Sequence, residues 1–257
     1  MSFTILIHSS KTMAVTDPRD KLTVPVFQQQ ARELSDYVAS LSTNEVRTSM
    51  HVSEKLAGDV QVLYRHRLDI SPSATVEIFR GDIYSGLRAL DWSQKEKEFA
   101  QQHLRILSGL YGILRPYDGI TPYRLEAAYK FPLYPNLYEY WGDQLARTIP
   151  RTDTVINLTS VEYAKLVIPH LRNQRIIVPQ FLSIMPNNDE PRFVAVHSKI
   201  ARGAYARWLI QQGDGNLDHL DQFNDLGYVY DEARSTPDAP VYICSDFKGI
   251  GLSQRLA

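Results

Sequence analysis

From Arg192 to Gln212 the chain carries four bases, Arg192, Lys199, Arg202 and Arg207, and no acid. A guanidinium forks onto phosphate or carboxylate oxygens and an ammonium offers a point charge, so such a run is suited to holding an anion. On a helix over 198–212, Lys199, Arg202 and Arg207 fall within about 140° of the circumference. A solvated face ordinarily mixes both signs, and Gly203 on the same side would let a partner come close. These three bases are expected to face a common cleft with Arg115 or Arg124.

A second polar group follows "LSGLYGILRP" (107–116), which has the glycines of a phosphate-binding hairpin. Pro116 leaves no room for a second helix after Gly112 and biases Arg115 away from helix. The stretch therefore reads as a strand end running into a loop that presents Arg105, Arg115, Asp118, Tyr123, Arg124 and Glu126. Internal pairing of Arg124 and Glu126 is the favoured reading of that loop. A third group lies in 43–67, read as helix, break, helix, with Arg47, Lys55, Arg65 and Arg67 against Glu45, Glu54 and Asp59. Such a unit can lay bases and free N–H groups on a DNA backbone without reading sequence. An ordinary helix corner fits the same pattern, since the Gly-x-Gly of such hairpins is missing.

No Walker sequence, Gly-x-Ser-x-Gly, His-Glu-x-x-His or Cys-x-x-Cys occurs, and no cofactor or metal is expected. Among seven histidines, His8 at the end of the first strand is the most site-like, although a hydrogen-bonded structural role is the plainer expectation. Cys244, the only cysteine, sits in the apolar run "VYICS" and reads as a small core residue. One cysteine rules out an intrachain disulfide and fits a reducing cytoplasm.

The elements that must position these residues alternate irregularly. "FTILIH" (3–8) reads as a strand, and its "ILI" core, apolar toward both faces, predicts a place at or beside the centre of a sheet. Ser42 with Glu45 and Ser93 with Glu96 form capping boxes opening helices at 43 and 94. A helix is also expected over 24–41, from the spacing of Val26, Ala31, Leu34, Val38 and Leu41. "TVEIF" (75–79), "DTVINL" (153–158), "RIIVPQFL" (175–182), "RFVAVH" (192–197), "GYVYD" (227–231) and "VYICS" (241–245) read as strands, "RILSG" as extended, and 137–149 as helical. The fold expected is α+β (mixed α/β), one domain over 1–257 with a mixed sheet and flanking helices.

Composition sets the outer bounds. The chain has 257 residues, 44% hydrophobic and 22% charged, with no apolar run long enough for a membrane helix. The start reads as a strand and not as a signal peptide. The net charge of −1 hides an asymmetry: 214–246 holds eight acids against one base, Arg234. That split leaves a positive balance elsewhere, which is either a local field for a partner or the counterpart of a solvated acidic surface.

Six further runs, "FRGDIYSGL", "QQHLRILSGLYGILRPYDGITPYRLE", "YEYWGD", "NLTSVEY", "ARGAYARWLI" and "GYVYD", stand in one order along nearly the whole chain. In these the chain resembles the YaaA family of peroxide stress resistance proteins. The family's opening Ser-Pro-Ala-Lys-Thr stands here as His8-Ser9-Ser10-Lys11-Thr12, matching at Lys11 and Thr12 and departing at His8 and Ser9. The resemblance implies a cytoplasmic bacterial protein that limits peroxide damage, a mixed α/β fold peculiar to the family with a helix-hairpin-helix-like element, and a basic cleft for duplex DNA, carried here onto 43–67 and the bases of 192–212.

Two classes of function follow. One is weak, sequence-blind binding of duplex DNA. The other is an enzyme acting on a small anionic or nucleobase or nucleotide substrate, supported by the many polar residues inside the family runs: Lys11, Lys55, Arg105, Arg115, Tyr123, Arg124, Asn157, Ser160, Tyr163, Lys199 and Arg202. Convergence of these side chains in one pocket favours the enzyme, and spread along an open groove favours DNA.

Overall fold

The computed structural model describes residues 2–16, 21–134, 136–151, 153–185 and 188–249. In chain order its strands are β1 (Phe3–His8), β2 (Thr12–Met13), β3 (Ser73–Ala74), β4 (Phe79–Arg80), β5 (Leu104–Ser108), β6 (Gly112–Leu114), β7 (Gly119–Ile120), β8 (Thr154–Asn157), β9 (Ile176–Ile177), β10 (Gln180–Met185), β11 (Asn188–Arg192), β12 (Tyr228–Tyr230) and β13 (Val241–Cys244). Its α-helices are α1 (Gln28–Ser40), α2 (Thr43–Met50), α3 (Glu54–Arg65), α4 (Thr75–Ile78), α5 (Asp82–Leu87), α6 (Gln94–His103), α7 (Leu137–Trp141), α8 (Val161–Ala164) and α9 (Ala195–Gln212).

β1 takes the place its apolar run demands. It lies third of five in the order β6-β5-β1-β8-β9, parallel to β5 and β8, with Ile5, Leu6 and Ile7 fully buried. Burying each of these side chains is worth roughly 2 kcal/mol. β6 pairs antiparallel at the edge, closing the hairpin that "LSGLYGIL" encodes. A second sheet, β11-β10-β13-β12, mixes parallel and antiparallel pairs. One apolar cluster runs through both sheets and the helices on them, so the α+β class read from the sequence is the observed one.

Helix α9 joins the two sheets. Its neighbour α5 crosses it backbone to backbone: a Cβ on Gly203 would sit 1.8 Å from the Ile83 carbonyl oxygen, and one on Gly86 2.0 Å from that of Ile200. The closeness that Gly203 permits is thus taken by α5. With residues such as Ile200, Ala204, Tyr205 and Leu209 all buried, α9 has a core on more than one side.

Both capping boxes form, at Ser42 and Ser93. The break between α2 and α3 is only 51–53, with His51 left-handed at φ 52° and Ser53 capping α3. Several segments differ from the expected elements. The expected strand at 175–182 is split into β9, in the first sheet, and β10, in the second. Residues 75–78 form a short helix, because Thr75 and Val76 donate their N–H groups to the carbonyls of Asp118 and Pro116. The expected strand at 192–197 ends at Arg192 and becomes α9 from Ala195; the tip of the β10–β11 hairpin falls on 186–187, outside the described residues. Helix α7 stops at Gly142, and 146–148 add only a 3-10 turn. Among the described residues no helix is long and apolar enough to cross a membrane.

Candidate active site

From β1 the chain passes to β5 on one side and then crosses to β8 on the other. The segments leaving β1 and β8 therefore diverge, and such a switch point leaves a crevice at the carboxyl ends of parallel strands. A cleft of about 570 Å³ lies there. Its walls come from His8–Thr12 after β1, Ser160, Glu162 and Tyr163 after β8, Gly81–Tyr84 at the head of α5, Glu126, and Val196 and Lys199 on α9.

The turn after β1 is held by a two-residue ladder, β2 on β4, and by a hydrogen bond from Ser10 Oγ to the Arg80 carbonyl. Gly81, at φ 147°, lets Ser10 lie against the backbone, since a Cβ there would come within 2.7 Å of Ser10 Oγ.

His8 stacks on Tyr163 with ring centroids 4.8 Å apart and planes 7° apart. Its Nδ1 lies 2.8 Å from the Ser9 carbonyl oxygen. A carbonyl only accepts, so the proton sits on Nδ1 and Nε2 keeps a lone pair. That Nε2 is buried and has no partner among the described residues. Burial lowers the imidazole pKa to about 4; the Ser9 bond opposes this, and Arg202 and Lys199 add to it. His8 is therefore a neutral acceptor at pH 7.

Beside it runs a chain of buried hydroxyls. Ser9 Oγ donates to Tyr163 Oη at 3.0 Å. Tyr123 Oη lies 2.7 Å from Ser108 Oγ, which accepts from the Tyr111 N–H. Ser9 bears on Tyr123 and Tyr163 on the Glu126 carboxyl, so the buried hydroxyls run Ser108, Tyr123, Ser9, Tyr163 toward Glu126. Burial raises the pKa of Tyr123 and Tyr163, which keeps both as donors. Burial also raises that of Glu126; Lys11 pulls against this and Glu162 adds to it. The arrangement can accept a proton at His8, hold or release one at Glu126, and meet negative charge with Lys11 and Lys199.

The sequence-derived residues divide by place. Lys11, Ser160 and Lys199 line the cleft, Lys11 and Lys199 both exposed. Tyr123 lies beneath it through Ser9. Arg202 is half-buried next to His8; burial lowers its pKa, and no acid among the described residues offsets that. Arg124 bonds Tyr129 and influences Glu126, with its Nε unpartnered. Asn157, at the end of β8, accepts from the N–H and hydroxyl of Thr159 and shapes the turn into α8.

Four others lie elsewhere. Arg105 donates to the carbonyls of Gln101 and Leu104 and closes the end of α6. Arg115 pairs with the fully buried Asp118 and reaches the Val24 carbonyl. Arg207 pairs with Asp225, an acid of the 214–246 segment, and does not share the cleft of Lys199. Lys55 is exposed on α3, outside the cleft.

Glu126, Glu162 and Asp82 complete the cleft and were not among the expected site residues, although each stands in a run already singled out, Glu126 in "PYRLE", Glu162 in "NLTSVEY" and Asp82 in "FRGDIYSGL". No three His, Cys, Asp or Glu residues among those described are grouped to hold a metal.

The comparisons with known proteins agree in extent. The family profile described as peroxide stress protein YaaA matches residues 3–234. A UPF0246 protein of Salinispora tropica is 45% identical over 257 residues, covering 98% of this chain and 97% of the relative. UPF0246 proteins of Roseobacter denitrificans and Ruegeria pomeroyi are 38% and 36% identical, each over 93% of this chain and 97% of their own length. With nearly the whole fold and most of the cleft inside the matched span, the chain belongs to the YaaA family of peroxide stress proteins.

Proposed function

We propose that the cleft between the ends of β1 and β8 binds a small anionic substrate and performs proton-transfer chemistry on it, as this chain's part in peroxide protection. One observation carries the reading. Residues far apart in sequence, His8, Lys11, Glu126, Tyr163 and Lys199, meet in one crevice at the switch point, while Arg105, Arg115 and Arg207 are occupied by their own chain. Lys199 and Lys11 attract the anion, with Arg202 behind them. His8 accepts a proton, and Glu126, held toward its neutral form, donates one.

Weak, sequence-blind binding of duplex DNA in a cytoplasmic setting is the second reading. It draws support from exposed cations: Lys11 and Lys199 at the mouth of the cleft, and Arg47 and Lys55 on the α2–α3 corner. Such binding would weaken with salt by about −0.9 in log–log slope for each phosphate neutralised.

Titrations with AMP, inorganic phosphate and a 20-base-pair duplex separate the two. The pocket reading expects saturable small-anion binding that Lys11→Gln and Lys199→Gln each weaken several-fold and Lys55→Gln leaves alone. A duplex that binds with a slope flattened equally by Lys55→Gln and Lys199→Gln, with neither small anion bound, would replace it.

A further inference from the structure

His8 stands where the cleft's positive charge and an unanswered acceptor coincide. Its Nδ1–H is spent on the Ser9 carbonyl, its ring is fixed face to face with Tyr163, and its Nε2 lone pair meets no donor among the described residues. Lys199 and Arg202 are the cations that bear on it. Both are donors only, and neither bonds Nε2. A buried acceptor without a partner is unfavourable enough that something is expected to complete it. A bare anion cannot, because its oxygens and Nε2 would both present lone pairs.

We infer that the cleft selects an anion that itself carries an O–H, a protonated oxyanion such as hydrogen phosphate or a 2-hydroxy carboxylate, with that O–H donating to His8 Nε2 while Lys199 and Arg202 hold the charge. The inference rests on the anion-binding reading above and adds the feature by which one anion is told from another. Sulfate and hydrogen phosphate have nearly the same shape and the same charge of −2 in their usual forms, yet only the phosphate has a proton to give. A site with a fixed acceptor rejects the analogue lacking the donor, because the acceptor is then buried against a lone pair.

The test uses calorimetric titration of the full chain at pH 7 and low salt with two matched pairs, inorganic phosphate against sulfate and glycolate against acetate. Phosphate should bind at least about tenfold tighter than sulfate, or glycolate than acetate. The first result puts the donating O–H on the oxyanion itself, the second on the hydroxyl of the neighbouring carbon. His8→Phe keeps a ring on Tyr163 and removes the acceptor, so the preference should fall to about one. His8→Ser removes the imidazole altogether and carries the same test should the phenylalanine variant not fold. Lys199→Gln should weaken both members of a pair and keep their ratio. Equal affinities within both pairs in the wild type, with binding still lost in Lys199→Gln, would overturn the selection and leave the anion site standing. A preference that survives both His8 substitutions would do the same. Absence of binding by all four anions would remove both readings together.

Discussion

Tyrosines crowd two regions of this molecule, and they are used differently. On the second sheet Tyr242 packs among rings, 5.4 Å from both Phe181 and Phe223, and its hydroxyl meets that of Tyr205 at 3.1 Å and the Leu220 carbonyl. Those hydroxyls satisfy one another, and the region is a core. At the cleft, Tyr123 and Tyr163 are buried too, but their hydroxyls lie with Ser9 and Ser108 in a row that leads toward a carboxyl open to a cavity, beside an imidazole with a spare lone pair. Residue type and burial are shared. What separates a packed core from a site is a polar group left over at the end of the network, next to space.

The comparison breaks first at the core. Tyr242→Ala removes a ring from a packed cluster and should lower stability by about 4 kcal/mol. Urea unfolding measures this, and phosphate affinity of the remaining folded protein should be unchanged. A large loss of affinity at a temperature where the variant is folded would mean that the two regions are one energetic unit.

Acid sharpens it next. His8 has its pKa lowered to about 4 in the folded chain, against about 6.5 when unfolded. Between these values the unfolded state binds more protons, so folding stability falls as pH drops from 6.5 toward 4. The loss attributable to His8 reaches at most about 3 kcal/mol, and it should be missing from His8→Phe when the two are unfolded in parallel across that window. Parallel slopes for the two proteins would show that the imidazole is not held neutral.

The smallest expected effect is the most diagnostic. Tyr163→Phe deletes one hydroxyl and should change stability by about 1 kcal/mol. The same change takes a donor from Glu126, and a donor favours the charged form, so the Glu126 pKa should rise further. Carboxyl-carbon NMR titration reads it directly. A fall, or no movement, would unlink Tyr163 from Glu126.

The difference between expectation and structure has the same origin as the difference between the two regions. Local chemistry was legible: Ser42 with Glu45 and Ser93 with Glu96 cap the helices they announce, and "ILI" lies at the centre of its sheet. Where a distant segment supplies the partner, local chemistry misleads. "TVEIF" has strand composition, but the 116–118 carbonyls take its N–H groups and bend it into a helical turn. Arg207 belongs by sequence to the acid-free face with Lys199 and Arg202, and the fold gives it Asp225 instead.

By itself the sequence determined the elements that depend on near neighbours and the family runs. Only the tertiary structure decided that His8, Glu126, Tyr163 and Lys199 share one cleft, because that depends on β1 lying between β5 and β8 and on Gly203 and Gly86 bringing α9 against α5. It also decided which cations remain available for a ligand. Charge is fixed by residue type, but whether a charge is free depends on which acids and carbonyls the fold sets beside it, as it sets Asp225 beside Arg207 and the Val24 carbonyl beside Arg115.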